Sequence, residues 1–241
     1  MFYEVLSAHY DTVFPLEPGK VTFLEKEFQA KNARRILDLA CGTGTYTLEL
    51  AKLGFETWGT DLEPGMIELA QRKATLEQSA AKFAVGDMRE PEGLGIKFDG
   101  LLCIGNSLAH LLDINDVTQA LRGMYNVLHV GGVAVLQTVN FDRILAAGDT
   151  QLPLIEREGL RFVRTYRPRS EERLVFDSVL EVSEHGKPRR YENSVELRPI
   201  RCHDLEQWLH QAGFSTVRTY GDFKYSEFTA KSQATVMIAE K

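Results

Sequence analysis

The chain has 241 residues and a formal net charge of −6, with 44% apolar and 26% charged residues. That balance is ordinary for a soluble globular protein, and the length suits one large α/β domain with a sizeable core, or two small ones. The acidic surplus argues against a nucleic-acid partner, since phosphate binding draws on a basic surface, and no apolar run approaches the length of a bilayer span.

The opening "MFYEVLSAHYD" lacks a basic leader and carries Glu4 and Asp11 early, which argues against a signal peptide. Residues 1–28 read as a cover segment whose first twenty, holding Tyr3, Tyr10 and Phe14 ahead of "PLEPGK", are expected to order on ligand binding. Cys41, Cys103 and Cys202 are odd in number and irregularly spaced. Neither a disulfide framework nor a structural metal site is expected from them, and a cytoplasmic setting is.

Short apolar strands then alternate with helical patterns, the mark of βαβ units and a mostly parallel sheet. Strands are expected at 34–40, 56–61, 82–87, 98–105 and 132–139, with helices near 45–53, 64–79 and 115–129, the last stopping at "HVGG". After Asn140 the period changes to two. Residues 141–200 are expected to form an antiparallel insertion with a hairpin at Gly186, serving as a lid or acceptor platform. On 161–169, Arg161, Arg167 and Arg169 share one face, and Phe162, Arg164 and Tyr166 the other. A helix at 203–212 stopped by Gly213, then strands near 216–223 and 234–240, complete a single domain.

The stretch "ILDLACGTGTYTLELA" sets Gly42 and Gly44 where the first strand turns into a helix. In open α/β sheets that turn is the preferred ligand site, and glycine lets a ligand approach where a Cβ would obstruct it. Three successive strands end in carboxylates: Asp38, Asp61 and Asp87. Asp61 stands 17 residues beyond Gly44, as a ribose-binding acid should. A dinucleotide fingerprint would carry a small residue where Thr47 stands, and a phosphate-binding loop would carry a lysine. A sulfonium nucleoside needs neither, and its positive charges are compatible with Asp38.

Together "LDLACGTG", "GTDLEPGMIELAQRK" and "VGDM" resemble the class I S-adenosylmethionine-dependent methyltransferases, while "CIGNSLAHL" and "GGVAVLQTVNFDRIL" resemble glycine N-methyltransferase and its bacterial relatives. The resemblance implies a Rossmann-like, doubly wound, seven-stranded, mostly parallel sheet whose last strand is antiparallel. It implies S-adenosylmethionine as cofactor and a small-molecule methyl acceptor as partner. By the same resemblance Ala40, Gly42 and Gly44 touch the methionine part and ribose, Asp61 holds the ribose hydroxyls, and Leu62 packs near the adenine. Asp87 and Met88 bind the adenine edge and face, Ile104 and Asn106 lie under the methionine part, and Tyr10 folds over the cofactor. Asn106 would also face the acceptor, orienting an amine without taking its proton. Val139 stands where glycine N-methyltransferase supplies a carboxylate-gripping arginine, so glycine itself is expected to be a poor acceptor.

His110 has two readings, a loop hydrogen bond or contact with cofactor and acceptor as a catalytic group. Arg164 beside two aromatics could replace the missing clamp, or belong to a solvated ion-paired strand. An amine acceptor is favoured over a hydroxyl, with a cofactor-binding regulator without turnover as the non-enzymatic alternative.

Overall fold

The computed structural model describes residues 2–184 and 187–241. Its larger sheet is built from β1 (Arg35–Leu39), β2 (Glu56–Asp61), β3 (Lys82–Val85), β4 (Phe98–Cys103), β5 (Leu128–Val139), β11 (Thr216–Tyr220) and β12 (Ala234–Glu240). The order is β11-β12-β5-β4-β1-β2-β3, parallel throughout except for β12, which runs antiparallel to both β5 and β11. Alternate side chains feed opposite faces. Leu37, Leu101, Leu136 and Met237 enter one buried cluster, while Ile36, Leu102, Val135 and Val236 enter the other. That is the doubly wound arrangement expected of near-continuous apolar strands.

The helices α4 (Thr45–Lys52), α5 (Pro64–Leu76) and α6 (Ile114–Val127) fill the crossovers, and α8 (Cys202–Ala212) precedes β11. Asp113 caps α6 by accepting from the Asn115 amide at 2.8 Å. Gly213 ends α8 at φ +117°, as its position after the helical pattern indicated. The "HVGG" stop is corrected: α6 ends at Val127 and β5 already begins at Leu128. Gly131 and Gly132 lie within that strand, exchanging hydrogen bonds with Lys241 past a shift in the β4–β5 register.

The second sheet has the order β10-β9-β8-β6, from β6 (Thr150–Gln151), β8 (Leu160–Pro168), β9 (Leu174–Glu184) and β10 (Lys187–Leu197), with β7 (Ile155–Arg157) paired to β8. The turn expected at Gly186 lies outside the described residues, although β9 and β10 pair antiparallel as a meander requires. A short helix, α7 (Phe141–Ala147), opens the insertion and was not legible as period two. Tyr166, Leu174 and Leu197 from this sheet join the cluster of Leu136 and Phe141, so the two sheets share a core.

The N-terminal segment divides. Its third helix, α3 (Pro18–Ala30), sends Phe23, Leu24 and Phe28 into the cluster beneath the larger sheet and is part of the helical layer. α1 (Phe2–Ala8) and α2 (Tyr10–Val13) precede it, and Tyr10 and Val13 of α2, like Lys20 of α3, line cavities. Leu6 and Val13 pack with Leu160, Phe162, Leu180 and Val182 of the second sheet in a cluster with no member from the larger one.

Candidate functional site

The turn after β1 takes three positive-φ residues, Ala40 at +56°, Gly42 at +55° and Gly44 at +74°. Asp61, at the end of β2, holds this turn from outside: its Oδ2 accepts from the Gly42 amide at 2.8 Å and its Oδ1 from the Glu63 amide at 3.0 Å. Tyr10 lies against the turn so closely that a Cβ on Gly42 would come within 3.3 Å of its ring. Burial pushes the Tyr10 phenol up to about 12, reinforced by Asp61, Asp11, Cys41 and Asp38, so it stays a neutral donor at physiological pH.

Two cavities meet at this point, sharing Tyr10, Ala40 and Gly105. The first, a cleft of about 670 Å³, is lined by Gly42, Asp61, Leu62, Asp87, Met88 and His110 among others. Leu62 is 67% exposed there, an apolar side chain left open at the cleft. Asp87 is gripped by the fork of Arg89, whose Nη2 donates at 2.5 Å, and Arg89 also reaches Asp116 at 3.2 Å. Those hydrogen bonds, set against modest burial, hold the Asp87 carboxyl below its usual range. His110 ends a turn of 3-10 helix over Ser107–His110. The surrounding protein pulls its pKa below the ordinary histidine value, with Asp61 pushing back, so its ring is neutral at pH 7.

The second cavity, about 450 Å³, is lined by Val13, Phe14, Asp38, Cys41, Ile104 and Arg164 among others. Asp38 is 3% exposed and accepts from the Thr47 hydroxyl at 2.6 Å. Burial raises it to about 7 against that hydrogen bond, and Asp61 adds to the rise. Among the described residues no cation pairs with it.

Tyr10, Asp38, Ala40, Gly42, Asp61, Leu62, Asp87, Met88, Ile104 and His110 therefore line one cavity or both. Gly44 does not; it is the N-cap of α4, pressed against Phe83. Asn106 lines neither cavity. Its Oδ1 accepts from the Val139 amide at 3.1 Å, which ties the β4 loop to the end of β5. Tyr166 is 4% exposed and sits against Phe141 and Phe176, so it is core and lines neither cavity. The alternation on β8 holds, with Arg161 and Arg167 ion-paired to Glu181 and Asp177 on the outer face.

Asp11 was missed. Its Oδ1 accepts from Thr43 at 2.6 Å and Thr45 at 3.0 Å, and its Oδ2 from Lys73 at 2.9 Å, latching α2 onto the glycine turn, α4 and α5. An acid next to Tyr10 was the available signal, but its partners lie 32 to 62 positions away. Burial pushes the Asp11 carboxyl up, yet the Lys73 ammonium and both hydroxyls outweigh it and hold the pKa below normal. A depressed carboxyl adds stability above its unfolded pKa of about 3.9, which is lost as pH falls through the folded value. The latch should thus stay closed across the neutral range and open only in acid. With Asp11 49% exposed it is worth about 1 kcal/mol. Asp11→Asn should speed amide exchange over residues 2–14 several-fold and leave α3 unchanged. Equal exchange in both proteins would remove the latch.

A methyltransferase-domain family profile matches residues 36–132. YqeM of Bacillus subtilis strain 168, which itself carries only a provisional methyltransferase name, is 27% identical across 100% of this chain and 98% of its own. The glycine/sarcosine N-methyltransferase of Aphanothece halophytica is 27% identical over 225 residues, 91% of this chain and 80% of that protein. Among solved structures, an S-adenosylmethionine-dependent methyltransferase from Clostridium acetobutylicum superposes with a TM-score of 0.87 at 18% identity, covering 99% of this chain and 98% of that one. No helix among the described residues is long and apolar enough to cross a membrane.

Proposed function

We propose that the chain, a class I S-adenosylmethionine-dependent methyltransferase, methylates a small-molecule amine. The observation that carries the proposal is the pair of cavities meeting beneath Tyr10, one open along the strand-end acids and one closed over by the insertion. The glycine/sarcosine relative, matched across 91% of the chain, supports nitrogen as the accepting atom.

The residues fit this cofactor. The turn carries no phosphate-binding lysine, Gly42 lets Tyr10 close onto it, and Asp38 is a buried acid, unpaired with a cation among the described residues, that a sulfonium or ammonium would hold ionised. When bound, S-adenosylmethionine supplies an electrophilic methyl on a sulfonium with a good leaving group. Asp61 would receive the ribose hydroxyls on lone pairs left over from the Gly42 and Glu63 amides. Leu62 and Met88 would flank the adenine. Tyr10 and α2 would exclude water, and alignment of the amine in the second cavity would supply most of the acceleration.

His110 lines the first cleft and not the second cavity, so it would take a proton from a protonated amine or a hydroxyl where the acceptor reaches the junction of the two. The rate should then show an acid-limb ionisation below the ordinary histidine value of about 6.5. His110→Asn should remove that ionisation and slow turnover by about 10². An unchanged pH profile would return His110 to a lining role. The reading as a whole is tested by incubating the protein with S-adenosylmethionine and matched amines and alcohols, scoring S-adenosylhomocysteine and methylated product by mass. Methylated alcohols with untouched amines would overturn it, as would cofactor binding with no product from any acceptor.

A further inference from the structure

We infer that Arg164 makes the second cavity an anion site, so that the amine acceptor carries a carboxylate and is longer than glycine. This rests on the reading of the acceptor as a small amine. Arg164 stands on β8 and lines the cavity facing Asp38, Ala40 and Gly105. Its Nη2 donates to the Pro153 carbonyl at 2.9 Å and its guanidinium lies 5.5 Å from the centre of the Phe162 ring. Its Nε is buried with no hydrogen-bond partner, and no carboxylate among the described residues is within ion-pair distance.

That combination calls for a ligand. A half-buried guanidinium whose fork is only partly used leaves donors for a planar anion. The other arginines of β8 show the contrast: Arg161 and Arg167 have their own acids on the outer face. Lys20 at the same cavity is already paired with Glu17 at 2.7 Å, so it is neutralised locally. Asp38 on one side and Arg164 on the other, with Arg157 also lining the cavity, give it an acidic and a basic wall, the complement of a zwitterion. The cavity's roughly 450 Å³ also exceeds what a two-carbon amino acid fills, even after the methionine end of the cofactor takes its share.

A carboxylate on the cofactor itself is the other source of the same chemistry, and the experiment separates the two. The protein saturated with S-adenosylhomocysteine is titrated calorimetrically with glycine, 3-aminopropanoate and 4-aminobutanoate, and with their neutral amides. The longer acids should bind about tenfold or more tightly than their amides, the scale of a charge-assisted hydrogen bond. Arg164→Gln should erase that preference, Arg164→Lys should restore part of it, and Arg161→Gln, on the outer face, should leave it intact. The affinity for S-adenosylhomocysteine should be the same in all four proteins. Loss of that affinity in Arg164→Gln would assign the arginine to the cofactor and overturn the inference. So would equal binding of acids and amides, glycine as the preferred acid, or no measurable binding of any acid. Because this readout needs no turnover, methylation of neutral amines would defeat the anion site and leave N-methylation standing.

Discussion

Asp61→Ala should weaken S-adenosylmethionine binding by about 100-fold or more. The loss has two parts. Hydrogen bonds to a charged acceptor contribute about 1.5–3 kcal/mol, which covers the ribose contact alone. Asp61 also satisfies the Gly42 and Glu63 amides at 2.8 and 3.0 Å, so its removal frees the turn that the ligand has to approach. Asp61→Asn should fall between, since the amide oxygen can accept from one of those N–H groups but its nitrogen opposes the other. Calorimetry with S-adenosylmethionine and its demethylated product measures both variants. Near wild-type affinity in Asp61→Ala would remove the ribose assignment, and a loss of folding stability without a loss of affinity would leave Asp61 as a turn support only.

The same residue shows what a sequence can disclose about such a site. Strand-end acids and glycines were legible because their roles follow from local chain geometry: β2 and β12 take the bounds read from alternation, and Asp61 ends its strand as expected. Partnerships across the fold were not legible. Asn106 is carried by a recognisable segment, but its side-chain oxygen is committed to the Val139 amide, 33 positions on. Tyr166 shares a face with Arg164, yet Phe141 and Phe176 cover only the tyrosine, and no alternation pattern says where that cover ends. The short helices α1 and α2 escaped notice for a related reason. Leu6 and Val13 find their apolar partners on the second sheet, so so short a stretch shows no periodicity of its own. Gly131 and Gly132 looked like a helix stop because glycine suits both a stop and an irregular strand, and the pairing with Lys241 decides between them.

Gly44→Ala should cost about 2–4 kcal/mol of folding stability, and the cost should be separable into two causes. Gly44 sits at φ +74°, where an L side chain adds about 1 kcal/mol of strain. A Cβ there would also come within 2.5 Å of the Phe83 ring and 3.0 Å of the Ala70 Cβ. The ring packs against two glycines, since a Cβ on Gly59 would meet it at 2.7 Å. Overpacking of this kind costs about 1–3 kcal/mol. Phe83→Leu removes the ring edge and should relieve the steric part when combined with Gly44→Ala, giving a favourable coupling of about 1–2 kcal/mol. The backbone part should persist in the double variant, because no change at Phe83 alters φ at position 44. Urea unfolding of the four proteins with a constant m-value measures the cycle. A single Gly44→Ala variant within about 0.5 kcal/mol of wild type would show that the turn relaxes. Additive single costs would show that Phe83 is not what excludes a side chain there.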